Sequence, residues 1–243
     1  MKNSVAAVIL AAGKGTRMKS DLPKALMPIC GKPMIRHIIN TFEGMGIKEI
    51  IPVIAPDQEI IAEEVAPYKT AVQEKQLGTG HAVLSAREML KGFAGKIIVA
   101  YGDHPIITGK TFQKVLDKLD DGYAVVFVGF RPEDSLRYGR LKMQGDELVD
   151  IIEFKDATDE EKQINFCNSG VVAFNGSKMF ELLDGVGNEN AAGEYYLTDV
   201  VKVARKKGLK SSAIECGTEE VAGANTLEEL AALEGYLKKR QGK

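Results

Sequence analysis

Residues 5–26, VAAVILAAGKGTRMKSDLPKAL, join a short apolar run to a glycine-rich, cationic loop. A run of Val, Ile, Leu and Ala that stops at Ala11-Ala12-Gly13 predicts a strand feeding a turn. Gly13 and Gly15 can turn backbone N–H groups toward an anion, while Lys14, Arg17, Lys19 and Lys24 supply positive charge. The chemistry that suits this composition is the holding of a polyphosphate. Two commoner phosphate loops fail on spacing. The dinucleotide fingerprint needs a glycine where Met18 stands, and the P-loop needs four residues between its glycines and then Gly-Lys-Ser/Thr. A glycine turn that only closes a strand–helix connection is the plain alternative, and the basic residues Arg17 and Lys24 weigh against it.

A second group of polar residues stands beside other apolar runs. Asp103 follows KIIVA and Tyr101-Gly102, an arrangement suited to a carboxylate that meets a hard cation. Mg²⁺ takes one or two carboxylates together with phosphate oxygens and water, so one aspartate suffices; a turn aspartate is the alternative. Glu153, Asn168 and Asn225 also border strand-like runs, where they could meet sugar hydroxyls or a second metal position, although singly such residues more often cap turns. Gly139, in Arg137-Tyr138-Gly139-Arg140, allows a backbone amide to approach a ligand or simply bends a strand. His37, His81 and His104 show no zinc-like spacing.

Rigid elements are needed to aim these groups. Met34, Ile35, Ile38, Ile39 and Phe42 predict one face of a helix over 33–45, with Pro33 at its first turn. Strands are expected at 48–54, 71–73 and 96–100, and helices at 58–66 and from the QLGTGHA turn (76–82) to about residue 90. The continuous apolar run 96–100 marks a strand covered on both faces. This alternation predicts an α/β, doubly wound, mostly parallel sheet, whose ligands lie beyond the carboxyl ends of the strands. From 122 the texture changes, and runs at 123–129, 139–143 and 148–154 read as a small antiparallel insertion covering one side of the crevice. A strand at 166–174 returns to the main sheet. Helices at 177–183 and 197–206, a strand at 211–215 and an amphipathic helix from 227 close the chain. Leu227, Leu230, Leu233 and Leu237 point to packing of that last helix on its own domain rather than on a partner.

The 243 residues suffice for a sizeable core, and 44% hydrophobic with 27% charged residues describe an ordinary globular chain. Lys plus Arg (32) nearly balance Asp plus Glu (34), for a net charge of -2, so no basic field points to nucleic acid or a membrane. The three cysteines, Cys30, Cys167 and Cys216, fit neither a disulfide framework nor a CxxC metal site, which agrees with a reduced, cytoplasmic setting. The first apolar run is too short for a signal segment or membrane span.

Leu10-Ala11-Ala12-Gly13-Lys14-Gly15-Thr16-Arg17-Met18, then Leu22-Pro23-Lys24, resembles the signature of sugar-1-phosphate nucleotidyltransferases. QLGTGHA (76–82), Tyr101-Gly102-Asp103, Tyr138-Gly139-Arg140, EFKDAT (153–158) and GEYYLTD (193–199) extend the likeness over nearly the whole chain. It is nearest to the uridyltransferases that act on N-acetylglucosamine-1-phosphate. The resemblance implies one domain over 1–243, with a nucleotide-binding part at about 1–121, a sugar-binding part at about 122–226 and a C-terminal helix at about 227–241. It implies that Arg17 and Lys24 are catalytic cations on the phosphates. Leu10, Ala11, Ala12, Gly13, Gly15, Gln73, Gln76, Gly78 and Thr79 would hold the nucleotide, with Gln73 and Gly78-Thr79 on the uracil ring. Tyr101, Gly102, Gly139, Glu153, Asn168, Tyr196 and Thr198 would meet the sugar, and Asp103 and Asn225 would hold Mg²⁺.

The implied substrates are UTP and a sugar-1-phosphate, with no nucleic-acid or membrane partner; monomer and dimer both stay open. Two departures fall on the sugar side: Asn168-Ser169-Gly170 where the family has Asn-Thr-Gly, and His104 where an aliphatic is common. The family's hexapeptide-repeat acetyltransferase part has no counterpart in these 243 residues, so the expectation is nucleotidyl transfer alone. Related chemistry on another nucleotide and phosphorylated alcohol is one alternative. A silent, nucleotide-sensing relative is another, and Arg17, Lys24, Asp103 and Asn225 together speak against it.

Overall fold

The structure of the protein, a computed structural model, describes residues 4–13, 22–135, 138–224 and 226–242. Its strands are β1 (Val5–Leu10), the short β2 (Pro28–Ile29) and β3 (Lys32–Pro33), β4 (Glu49–Ile54), β5 (Ala71–Val72), β6 (Lys96–Tyr101), β7 (Val125–Phe130), β8 (Arg140–Gln144), β9 (Glu147–Ile152), β10 (Cys167–Asn175) and β11 (Ser211–Glu215). Its helices are α1 (Met34–Gly44), α2 (Glu59–Glu64), α3 (Thr79–Leu84), α4 (Gly109–Asp120), α5 (Gly176–Leu183), α6 (Val200–Lys206) and α7 (Leu227–Gln241).

The main sheet runs β11-β7-β10-β6-β1-β4-β5. It is parallel except at β10, which is antiparallel to both β6 and β7. Successive residues of β1 explain why both faces are covered. Ala6, Val8 and Leu10 join a core with Val83, Leu182 and Val201 from α3, α5 and α6, whereas Ala7 and Ile9 face Ile38, Ile61 and Phe112 from α1, α2 and α4. The expected α/β, mostly parallel, doubly wound sheet is therefore present.

Several elements differ from the sequence expectation. β7 belongs to the main sheet, not to the insertion, and all six of its residues are buried, as two covered faces require. The antiparallel insertion is the β8–β9 hairpin, joined to β10 at the Arg140–Cys167 pair. α3 ends at Leu84 instead of about residue 90: the Ser85 hydroxyl donates back to His81 O at 3.2 Å, and i→i+3 bonds such as Ala86 N to Val83 O at 3.1 Å replace the helical ladder. α4 was not anticipated; Thr108 caps it by accepting from Thr111 N at 3.1 Å. The expected helix 197–206 opens as a 3-10 turn, Leu197–Asp199, before α6.

α7 packs on its own domain. Leu230, Leu233 and Leu237 are buried with Met27, Ile29, Met34 and Ile106, while Leu227 is 58% exposed and stands outside this seam. Among the described residues no helix is long and apolar enough to cross a membrane.

Candidate active site

β6 delivers Asp103 to the mouth of a cleft of about 1010 Å³ beyond the carboxyl end of the sheet. Lys24, from the 3-10 turn Lys24–Leu26, forms an ion pair with Asp103 across 79 residues of chain. Burial pushes the Asp103 carboxyl up, but the adjacent His104 and Lys24 charges outweigh it and hold the group below the usual carboxylate range. Burial drives the imidazole of His104 down, opposed by the Asp103 charge. Gly223 keeps the space beside the carboxylate open, since a β-carbon there would lie 3.5 Å from Asp103 Oδ2 and 3.3 Å from His104 Cδ2.

The same cleft is lined by Gly139, Glu153, Asn168, Tyr196 and Thr198, residues spread over 60 positions of sequence, and by Thr79 and Tyr101. The hairpin supplies Gly139 and Glu153; a β-carbon at Gly139 would sit 3.4 Å from both Glu153 oxygens. Thr198 donates to Glu153 Oε1 at 3.2 Å. Burial raises the Glu153 carboxyl above its ordinary range, opposed by that hydroxyl and reinforced by Asp156 and Asp199. Asn168 stands at a register shift between β10 and β7. Its Oδ1 accepts from Gly170 N at 2.9 Å, and Ser169 bridges Val128 O and Val171 N at 2.7 and 3.1 Å. Gly170 is required at φ +88°, because a β-carbon would strike the Tyr101 ring at 2.5 Å.

The segments expected to hold the base lie next to this cleft. Gln73 is buried, and its amide donates to Gly78 O at 3.1 Å. Gln76 donates to Ala12 O at 2.5 Å, tying the turn after β5 to the loop after β1. Gly78 takes φ +114° and has no room for a side chain: a β-carbon would lie 2.7 Å from Tyr195 O. The turn is stitched to 195–197 by Tyr195 N to Leu77 O and Gly80 N to Tyr195 O, both 2.8 Å, and by Leu197 N to Thr79 Oγ1 at 3.0 Å. Tyr101, whose hydroxyl is held up by burial and hydrogen-bonded to Thr79, joins the two sides.

Of the expected residues, Leu10, Ala11, Ala12, Gly13, Lys24, Gln73, Gln76, Gly78 and Gly102 are not among the residues lining this cleft. At Gly102, expected on the sugar, a β-carbon would come within 3.4–3.6 Å of Ala11, Ala25 and Ile35. Gly15, Arg17 and Asn225 lie outside the described residues. Tyr138, Phe154, Glu194 and Leu233 also line the cleft. The first three adjoin motif residues, a usable signal, whereas nothing in the spacing of α7 shows that Leu233 reaches the site.

Residues 7–235 match the family described as the MobA-like NTP transferase domain. The chain is 47% identical over 237 residues to the bifunctional protein GlmU of Rhodospirillum rubrum, covering 97% of this chain and 53% of that protein. It is 48% identical over 238 residues to the bifunctional protein GlmU of Ruegeria sp. (strain TM1040), with coverage of 96% and 53%. The chain thus spans about half the length of the curated relatives it matches. A crystal structure described as a putative glucose-1-phosphate thymidylyltransferase from Bacillus anthracis, in complex with a sucrose, superposes with a TM-score of 0.77 over 96% of this chain and 95% of that one, at 18% identity, and so shares its fold.

Proposed function

We propose, from the premise that the chain belongs to the MobA-like NTP transferase family, that it joins UTP to N-acetylglucosamine-1-phosphate and releases pyrophosphate. The observation that carries this reading is the meeting of the Lys24–Asp103 pair with a cleft lined by Gly139, Glu153, Asn168, Tyr196 and Thr198. The choice of UTP and of the sugar rests on the resemblance of the motifs to uridyltransferases, supported by the relatives named GlmU.

In this mechanism a phosphate oxygen of the sugar phosphate attacks the α-phosphorus of UTP in line. The bond from the α-phosphorus to its bridging oxygen breaks, and pyrophosphate departs with the bonding pair. A phosphate monoester is already anionic at neutral pH, so no general base is needed. The chain's task is to bring two anions together and offset their charge. Lys24 meets the phosphates, where the motif also leads us to expect Arg17; Glu153 and Asn168 accept and donate hydrogen bonds to sugar hydroxyls; the Tyr101 and Tyr196 rings wall the pocket. The carboxylate of Asp103, with open space kept by Gly223, fits a Mg²⁺ ion that would take its remaining ligands from phosphate and water, and Asn225 is the second candidate ligand. When bound, such an ion neutralises phosphate charge as it develops.

Pyrophosphate release measured over a panel of nucleotides and sugar phosphates, with Mg²⁺ and with EDTA, tests the reading. Turnover is expected with UTP and N-acetylglucosamine-1-phosphate and should be lost in EDTA. Preference for another pair would reassign the substrates, and silence with all pairs would remove the enzyme reading.

A further inference from the structure

Among the described residues Arg140 is the largest fully buried side chain. It begins β8, pairs with Ile152 of β9 and with Cys167 of β10, and so sits where the hairpin meets the main sheet. Its Nη1 donates to Ser135 O at 2.6 Å and also to Tyr138 O. Its Nη2 reaches Ser135 Oγ and Lys162 O, each at 3.4 Å. The guanidinium lies 5.5 Å from the centre of the Phe154 ring.

Those partners belong to two separate segments, one leading into Gly139 and the other following Glu153. Tyr138, Gly139, Glu153 and Phe154 all line the cleft. The adjoining backbone is fixed as well, with Asn168 N donating to Gly139 O at 2.8 Å and Leu141 N to Phe166 O at 2.9 Å. The bonds of Arg140 run through Nη1 and Nη2, while its buried Nε has no partner among the described residues; a buried cation is costly unless its donors are satisfied, and a scaffold role alone is met more cheaply by an apolar side chain. Only the planar fork of arginine reaches several separated oxygens at once; lysine offers a compact point charge.

We infer that Arg140 is a positioning residue for the sugar phosphate, its guanidinium fixing the two segments that carry Tyr138-Gly139 and Glu153-Phe154 against each other. The inference rests on the function proposed above. It assigns Arg140 no contact with substrate, and it separates the two substrates: the base-side turn at 77–80 is held by other bonds, to Tyr195 and Leu197.

The test compares wild type, Arg140→Lys and Arg140→Met by varying UTP and N-acetylglucosamine-1-phosphate separately, with thermal unfolding followed in parallel. For Arg140→Lys the KM for the sugar phosphate is expected to rise about tenfold while the KM for UTP stays within about twofold, the loss matching one or two hydrogen bonds. Arg140→Met should shift the sugar-phosphate KM further in the same direction. Folded variants with both constants near wild type, a parallel rise in both, or loss of folding in both variants would each overturn the positioning role. Wild-type protein that turns over no pair removes the proposed function, and this inference with it, a result distinct from an active wild type whose Arg140 variants show no split.

Discussion

The wall of the cleft expected to hold the base combines backbone bonds with side-chain ties from Gln73, Gln76 and Thr79, and the wall expected to hold the sugar rests mainly on side chains. Gly102 N to Leu10 O at 3.0 Å, Ala11 N to Val53 O at 2.8 Å and Tyr195 N to Leu77 O at 2.8 Å fix the strand ends and the 77–80 turn. Across the cleft, Thr198 to Glu153, Asn168 to Gly170 N, and Arg140 to the loop carbonyls set the geometry. The first wall leaves no room for an added β-carbon at a contact glycine such as Gly78. A side-chain-built wall can change its ligand by substitution without losing the fold. On the function proposed above, the difference separates the part expected to hold the nucleotide from the part expected to select the second substrate.

Four substitutions break or sharpen this contrast. Asp103→Asn should lower turnover on the order of 10³-fold without altering the circular dichroism spectrum, since it removes the carboxylate that pairs with Lys24 and would hold Mg²⁺. Gly78→Ala should cost about 3 kcal/mol in urea unfolding, from the strain of a β-carbon at φ +114° and its collision with the Tyr195 backbone. If Gly78→Ala proved as stable as wild type, the backbone stitch would not be the constraint described. Thr198→Val should raise the KM for the sugar phosphate about tenfold while leaving that for UTP unchanged, because it takes a hydrogen bond from Glu153.

The smallest effect concerns pH. The folded state holds the Glu153 carboxyl above its unfolded value, so the fold favours the protonated form. Its contribution to stability is therefore present in full below the ordinary carboxylate range and is lost as pH rises through the raised value. Glu153→Gln should flatten that part of the stability–pH curve, read as melting temperature between acid and neutral pH. An unchanged slope would show that the carboxyl ionises freely in the folded protein.

How far the sequence could be read follows the same division. β1, β4 and β6 were legible because each is a largely apolar run that stops at a turn-forming residue, Gly13, Pro56 and Gly102, and Asp103 was legible as the polar residue just beyond such a run. β7 carries the same signal, six buried residues, but the turns around it drew it into the insertion. α4 escaped notice, although Thr108 caps it and Phe112, Val115, Leu116 and Leu119 are buried at helical spacing. On the sugar side, Glu153, Asn168 and Thr198 could be named through family motifs, but their assembly depends on a β-bulge and a hairpin register that periodicity does not reveal. Gly78 illustrates the limit: the resemblance implies only a place on the uracil ring, and the structure adds a tight contact with Tyr195.

The most direct test of nucleotidyl transfer follows the phosphorus atoms. Wild-type protein is incubated with Mg²⁺, N-acetylglucosamine-1-phosphate and UTP labelled at either the α- or the γ-phosphorus, and the products are separated. Attack at the α-phosphorus predicts α-label in the UDP-sugar and γ-label in pyrophosphate, with both products absent without the sugar phosphate. The γ-label in inorganic phosphate, or no labelled UDP-sugar, would contradict it.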